Sequence, residues 1–513
     1  MRKYASILLS LIIGSVVFKV LLLLFSNYAI QPDSQGFLKN AAFFKGLDFR
    51  NLDAVFPWFY SVFIALLSFL IPNLELCGNI VSIIFSALLL VPLFYLALRI
   101  FNEKVAVLSC LLAIFYPWLN LYSFAATAET TYITMVMLAI MLGWMSWKSN
   151  SKLLYFCCGI LMGLVYLTRE EGIGYGTVML FWFVLLAVKR RFRGQSGLNL
   201  ILYLIPFLSL VSVFVIFLHW RTGAWVLTQQ MGNVACGIDA EPASFKTRLD
   251  TINCYQYILR NFGSFVFKYL RNLRDAVKIA LPDVFSPVLL VIAAIGFWGN
   301  QLSREDRNNR LYLFLFILPP FLLIPLSHII SRYFVSILPI LLICLANGIE
   351  EVALRNKDTR FALLKRPVLI SIVLSFLFVF SLNPVLRPIF HLLPIYEIEY
   401  KETGLWIKDN LPKNSVLFSQ LGVVDYYAQR ERVLVRQPGK SMYDTRSLDE
   451  ILSWANQKDL NYYLVVQERW KSTTLSGLLD EKSKRKRLKP VYVNTKFPKA
   501  KVVVYEIEKT NIR

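Results

Sequence analysis

The chain has 513 residues, of which 56% are hydrophobic and only 17% charged, against about 25% charged in typical soluble domains. Apolar runs of membrane-spanning length recur from residue 5 to about residue 384, so the chain reads as a polytopic membrane protein and not as a soluble enzyme. The formal net charge of +22 does not signal nucleic acid, because Lys and Arg gather at the ends of the apolar runs, where they set topology.

The first run, 5–25, is too long for a signal-peptide core and has no small-residue cleavage site after it, so it reads as a retained span. Spans are expected at 5–26, 76–101, 105–119, 128–147, 153–168, 173–188, 198–218, 284–300, 311–329, 333–352 and 367–384. Arg2 and Lys3 put the N-terminus inside, and Lys148, Lys152, Arg190, Arg191, Arg304, Arg307, Lys357 and Lys365 mark further inside turns. Arg99 and Lys104 also read as inside, so an odd number of crossings separates them from Tyr28. Segment 76–101 supplies one. Segment 57–71, PWFYSVFIALLSFLI, is short of the ~20 residues that a span needs. It is expected to lie in the interface, or to dip in and return, with Pro57 at its start and Pro72 after its end.

This assignment places Asp33, the 116–131 turn, the 169–172 turn and Arg332 on the outer face. The groups of reactive type near span ends thus converge on one side, which points to a site there. The long outer loop, about 219–283, has Phe262, Phe265, Val266, Tyr269, Leu270, Leu273 and Val277 at helical spacing, with Lys268, Arg271, Arg274 and Lys278 on the other side. Such a basic amphipathic helix either lies in the membrane surface and attracts anionic headgroups or packs on the bundle. Cys236 and Cys254 are the two Cys of that loop and pair if that face is oxidising. Cys110, Cys157, Cys158 and Cys344 sit in apolar runs as small core residues. No Cys/His spacing marks a metal site, and His219, His328 and His391 are far apart in sequence.

From about residue 394 the apolar runs end. Helices are expected at 399–410 and 447–457, the second opened by Ser447 with Glu450 three residues on. Strands are expected at 415–421, 432–436, 462–467 and 501–507. The run 482–489, KSKRKRLK, reads as a solvated helix end, or less readily as a contact for lipid headgroups. The expected architecture is an α-helical bundle of about 11 spans with interfacial helices (1–393), followed by a soluble α/β domain (394–513) on the outer side.

Several stretches together resemble the GT-C class of membrane glycosyltransferases, in the branch of protein O-mannosyltransferases and lipid A aminoarabinose transferases. They are Pro32-Asp33-Ser34 with Phe37-Leu38, Phe56-Pro57-Trp58-Phe59-Tyr60, Tyr116-Pro117-Trp118 followed by Ala128-Glu129-Thr130-Thr131-Tyr132, Thr168-Arg169-Glu170-Glu171-Gly172, Ser331-Arg332-Tyr333-Phe334, and Trp406-Ile407-Lys408-Asp409-Asn410-Leu411-Pro412. In this chain Glu170 stands where relatives often have Pro. The first loop carries Asp33 without the adjacent Glu of the mannosyltransferases.

The resemblance implies an inverting transfer of a sugar from a polyprenyl-phosphate-linked donor to a protein, lipid or glycan acceptor at the outer face. It implies Asp33 as the acidic general base of the first loop and Glu129 as a second acid that orients hydroxyls or, with Asp33, holds a divalent cation. Arg169 and Arg332, with Tyr333, are the expected contacts of the donor phosphate, since a guanidinium fork matches phosphate oxygens. Glu170, Glu171 and Trp58 are expected close to substrate. The rival for Arg169 is an internal pair with Glu170 or Glu171, and that for Arg332 is a snorkelling interfacial side chain. The expected partners are the lipid-linked donor, the acceptor and membrane lipids, with no nucleic acid and no covalently bound cofactor. The expected location is a bacterial plasma membrane with the site extracytoplasmic. The rival function is a transporter or lipid-handling carrier. The spans, however, hold very few ionisable residues and show no inverted repeat.

Overall fold

The structure is a computed structural model that describes residues 2–26, 29–189, 195–229, 234, 238, 251–298, 304–355, 366–382, 398–419, 422–434, 447–455, 460–467, 475–479, 487–494 and 501–508. These fall into two units, one drawn from 1–26, 37–234 and 261–393, the other from 27–36, 235–260 and 394–513. Cys236 lies outside the described residues, as does the side chain of Cys254.

The first unit is helical. Among the described residues, six helices are long and apolar enough to cross a membrane: Tyr4–Phe25, Leu74–Ile100, Glu129–Ser149, Gly197–Thr222, Arg307–Leu326 and Ser331–Ala353. Two more candidates are bent pairs, Glu103–Ile114 with Pro117–Ser123 at 59°, and Phe262–Val284 with Pro287–Trp298 at 96°. By length and composition alone these give six to eight spans among the described residues. Every expected run is helical, but 153–168, 173–188 and 367–384 form the shorter helices Lys152–Thr168, Gly172–Val188 and Pro367–Ser381. The 17 residues of Lys152–Thr168 reach about 25 Å, against a hydrocarbon core of about 30 Å.

Local chemistry explains where these helices start and stop. Asn73 accepts from the Leu76 amide at 3.1 Å, and Asn102 accepts from the Val105 amide at 3.1 Å, so each caps an orphan donor. Glu75 and Glu103 follow in the first turns, where they face the positive end of the helix dipole. Asn150, at φ 53°, closes Glu129–Ser149 in the left-handed conformation that Asn tolerates. Pro117 and Pro287 begin helices, since their missing N–H would be unpaired there in any case. Pro287–Trp298 packs against Leu338–Arg355 at two facing glycines. A Cβ on Gly296 would overlap the Cys344 carbonyl oxygen, and one on Gly348 would overlap that of Ile292. Small residues thus let the two backbones approach, as is usual where helices pack in lipid.

In the second unit, β1 (Val416–Ser419), β2 (Glu431–Leu434), β3 (Tyr462–Gln467), β4 (Leu488–Asn494) and β5 (Val502–Ile507) form one sheet in the order β2-β1-β3-β5-β4. β1 is parallel to β2 and β3, and β5 is antiparallel to β3 and β4. Val416, Phe418, Leu464, Val503 and Tyr505 pack with Ile451 of the helix Leu448–Ala455 into its core. The expected capping box is formed in both directions: Glu450 N–H donates to Ser447 Oγ at 3.2 Å, and Ser447 N–H donates to Glu450 Oε2 at 3.0 Å. One expectation fails. Leu488 and Lys489, read as the end of a solvated helix, begin β4, where they pair with Ile507 and Glu506.

The helix Phe59–Ser68 has 10 residues, about 15 Å, or half the hydrocarbon core. It is therefore expected not to cross. Leu47 and Leu70 flank it and are 74% and 80% exposed. In a cysteine-free background, Leu47→Cys and Leu70→Cys should react with an impermeant maleimide from the same side of sealed vesicles. Labelling from opposite sides would make this segment a span.

Candidate active site

The head of the helix Glu129–Ser149 is fixed from neighbouring elements. Ser82 Oγ donates to the Ala125 carbonyl at 2.7 Å, the Tyr60 hydroxyl lies 3.0 Å from Ser82 Oγ, and Thr134 Oγ1 donates to the Phe85 carbonyl at 2.7 Å. These bonds hold the approach to Glu129 in an apolar setting, where leaving such groups unpaired is costly. Arg169 ends the helix Lys152–Thr168 in an extended conformation, φ −152° and ψ 137°. Gly172 starts the next helix three residues later. The 169–171 turn is thus brought beside Glu129.

Arg169 is the centre of the site. Its Nη1 donates to Glu129 Oε1 at 2.8 Å. Its Nη2 and Nε donate to the two oxygens of Glu171 at 3.1 and 3.4 Å, the forked geometry that a guanidinium offers a carboxylate. Its Cζ lies 5.8 Å from the Tyr132 ring centre and 5.2 Å from that of Tyr333. The Arg332 guanidinium also lies 5.2 Å from the Tyr333 ring, so one ring faces both cations. Glu129, Tyr132, Arg169, Glu171, Tyr175, Arg332 and Tyr333 line a small cavity that is partly open to solvent. Glu129 is 5% exposed, and its second oxygen, Oε2, is buried without a hydrogen-bond partner among the described residues.

The rival reading of Arg169 is realised in part: it pairs internally, with Glu171 and with Glu129 rather than with Glu170. Sequence reasoning left out Tyr132 and Tyr175, although a signal was present. Tyr132 follows Glu129 by three residues and Tyr175 follows Glu171 by four, the spacing that puts helical side chains on one face. The Tyr175 hydroxyl donates to Ser336 Oγ at 2.9 Å, which ties this wall to the segment after Arg332.

Trp58, Asp33 and Glu170 are not among the residues that line this cavity. Trp58 packs edge-on against Phe214 and Phe217, with ring centres 5.3 and 4.4 Å away, and does not line the cavity. Asp33 belongs to the second unit. There it precedes the helix Ser34–Lys45, and its carbonyl accepts from the Gly36 amide at 3.1 Å. Glu170 faces Thr228, whose hydroxyl donates to Glu170 Oε2. Nearby, the Tyr166 hydroxyl donates to the Leu227 carbonyl at 2.6 Å.

The two neighbouring glutamates titrate in opposite directions. Burial raises Glu171, but the Arg169 charge and its hydrogen bonds outweigh burial and hold the carboxyl below its ordinary value. Burial pushes Glu170 up to about 8, with the Thr228 hydrogen bond opposing and the Glu171 charge adding to the rise. The folded chain therefore keeps a proton on Glu170 that the unfolded chain releases above the ordinary carboxyl value of 4.5. This stabilisation is complete below that value and is lost as pH rises toward 8. Glu171 acts below pH 4.5 and leaves this window clear. From pH 5 to 8 the purified chain should lose on the order of 1–3 kcal/mol more stability in thermal unfolding than Glu170→Gln does. An unchanged slope in Glu170→Gln would assign it to other groups.

Residues 54–220 match the family model described as dolichyl-phosphate-mannose-protein mannosyltransferase. A sequence search of curated proteins finds no match. Among solved structures, ArnT from Cupriavidus metallidurans bound to undecaprenyl phosphate is similar at TM-score 0.57 and 13% identity, with 97% of each chain covered. The apo oligosaccharyltransferase of Archaeoglobus fulgidus is similar at TM-score 0.59 and 10% identity, over 90% of this chain and 70% of that one. AglB from the same organism, in complex with an inhibitory peptide and a dolichol-phosphate, is similar at TM-score 0.54 and 12% identity, over 92% and 70%. The chain is an integral membrane protein with the fold of the GT-C class of glycosyltransferases.

Proposed function

We propose that this chain is a glycosyltransferase that moves a sugar from a polyprenyl-phosphate-linked donor to a protein, lipid or glycan acceptor, with inversion at the anomeric carbon. The observation that carries this reading is the cleft in which two guanidinium groups, Arg169 and Arg332, stand beside the Glu129 carboxylate. When the glycosidic bond to phosphate breaks, negative charge builds on the phosphate oxygens. A fixed cation in a water-poor cavity stabilises that charge at little reorganisation cost. Arg332, on the wall of the same cleft, is proposed for this contact. The remaining donors of Arg169 add to it. Glu129 Oε2 is suited to accept from a sugar hydroxyl and so orient the ring. The match of residues 54–220 to the mannosyltransferase model, and the lipid phosphates named with ArnT and AglB, support a donor of this class.

Displacement by an acceptor hydroxyl needs a base to take its proton as the new bond forms. Asp33 is the residue proposed for this role, supported by the resemblance of the 32–38 loop to the first loop of the class. Glu171 is held by Arg169 as an anion and is a poor choice. A divalent cation fits the cavity less well than an anion does. Its carboxylates, Glu129 and Glu171, both pair with Arg169, Arg332 stands beside them, and no three His, Cys, Asp or Glu side chains converge among the described residues. We place the reaction on the extracytoplasmic side of a bacterial plasma membrane, with the 394–513 domain on the same side. The Lys and Arg distribution supports that orientation.

Two variants separate the roles. Asp33→Asn keeps size and most hydrogen bonding but cannot accept the proton, so transfer by the purified chain should fall by roughly 10²–10⁴-fold, with binding of undecaprenyl phosphate little changed. Arg332→Ala should weaken undecaprenyl phosphate binding as well as turnover. The assay is transfer from a panel of polyprenyl-phosphate sugars, with lipid-phosphate binding measured alongside. Near wild-type transfer by Asp33→Asn would remove Asp33 as the base, and unaltered lipid-phosphate binding by Arg332→Ala would remove the anion site.

A further inference from the structure

The basic amphipathic stretch 262–284 plays no part in the proposed reaction. It forms a helix that meets Pro287–Trp298 at 96°. At that angle the two helices do not both lie along a membrane normal, and the exposed basic and apolar side chains of 262–284 suit that half to the membrane surface. Its sides differ in chemistry. One packs on the bundle: Lys268 and Asn272 are buried, Asn272 Nδ2 donates to the carbonyls of Pro325 and Ser327 at 3.0 and 3.1 Å, and Lys268 Nζ donates to those of Val234 and Leu326 at 2.7 and 3.3 Å. The remaining sides are exposed and carry Phe262, Phe267, Leu270 and Val277 together with Arg271, Arg274 and Lys278. Arg274 is paired with its neighbour Asp275 at 2.8 Å. Arg271 lies in the α-helical part and Lys278 in the π-helical turn Ala276–Ala280 that continues it, and both are exposed.

We propose that the helix 262–284 is a binding surface for anionic phospholipid, with Arg271 and Lys278 as the headgroup contacts and Phe267 and Leu270 reaching into the acyl boundary. The mixture of exposed aromatic and basic side chains selects this partner. An acidic protein surface would complement the cations but leave the large apolar side chains against polar groups. The inner face meanwhile grips the 325–327 turn, five residues before Arg332, so the lipid-facing helix and the cavity share a fixed element. The inference does not depend on the proposed transfer.

The test is lipid retention by the full-length purified chain, by native mass spectrometry, after incubation with phosphatidylglycerol or phosphatidylcholine. The chain should retain phosphatidylglycerol preferentially. Arg271→Gln with Lys278→Gln should weaken that retention by roughly thirty-fold, about five-fold for each lost charge near the surface. Arg271→Lys with Lys278→Arg should preserve it, and so should Arg332→Ala, which separates bulk anionic lipid from a lipid phosphate in the cavity. Equal retention of the two lipids by the unmodified chain would overturn the proposal, as would undiminished retention by the Gln pair or loss in Arg332→Ala.

Discussion

The structure of the first unit depends on one guanidinium. Arg169 sits where two helices break, and its donors reach a carboxylate at the head of a third helix and another in its own turn. Charges taken out of water are tolerated only when paired. Removing one partner of such a set typically costs 3–5 kcal/mol, because it strands the other charge. Glu129, Arg169 and Glu171 therefore fix three helix ends relative to each other. Tyr132 and Tyr333 complete the enclosure with ring faces that favour the cation. The same network leaves one carboxylate oxygen and the Arg332 guanidinium on the cavity wall. The packing constraint and the candidate chemistry are one set of atoms.

Two adjacent glutamates illustrate how environment assigns roles. Glu171 accepts a forked pair from Arg169 and is held as an anion. Glu170, one residue earlier, points away to Thr228 and keeps its proton to higher pH. Sequence places both beside Arg169, and nothing in the order of letters decides which of them the guanidinium takes. The backbone decides it. Gly172 begins the next helix directly after Glu171, and the turn sends consecutive side chains in different directions. A proline at 170 would supply neither the carboxyl nor the bond to Thr228. That substitution relative to the class therefore changes what holds the 227–229 segment.

Much of the fold was legible because its signals are local. Apolar runs marked every helix of the first unit that was expected to span, and Ser447 with Glu450 marked a cap that forms in both directions. The signals failed where pairing was decided by tertiary structure. Runs 153–168 and 173–188 form helices within a residue of their expected bounds, Lys152–Thr168 and Gly172–Val188, but hydropathy does not reveal how the charged turn between them is paired. β4 was missed because Leu488 and Lys489 end a run of cations that resembles a solvated helix, whereas pairing with β5 makes them a strand. Glu129, Arg169, Arg332 and Tyr333, singled out from motifs at span ends, line one cavity. Trp58, expected close to substrate, packs against the Phe214 and Phe217 rings, which its motif does not reveal. Asp33 was placed by its loop, and that loop groups with the C-terminal unit, an association that no local pattern contains.

The short helices also account for the chemistry of the turn. Lys152–Thr168 reaches about 25 Å, some 5 Å less than a hydrocarbon core. If its other end stays anchored by Lys152 at the opposite surface, the 169–171 turn lies just inside the polar boundary. At that depth a lone arginine is expensive, and two carboxylates relieve it. The same depth suits a lipid phosphate, whose anchor holds it at the boundary rather than in bulk water. The proposed anion site, walled by Arg332 and by Arg169 with its two carboxylates, fits that setting because it does not present a strong bare cation to the acyl chains. The short span and the paired arginine thus answer one requirement: a charged site that is stable at the edge of the lipid and still able to take up a charged ligand there.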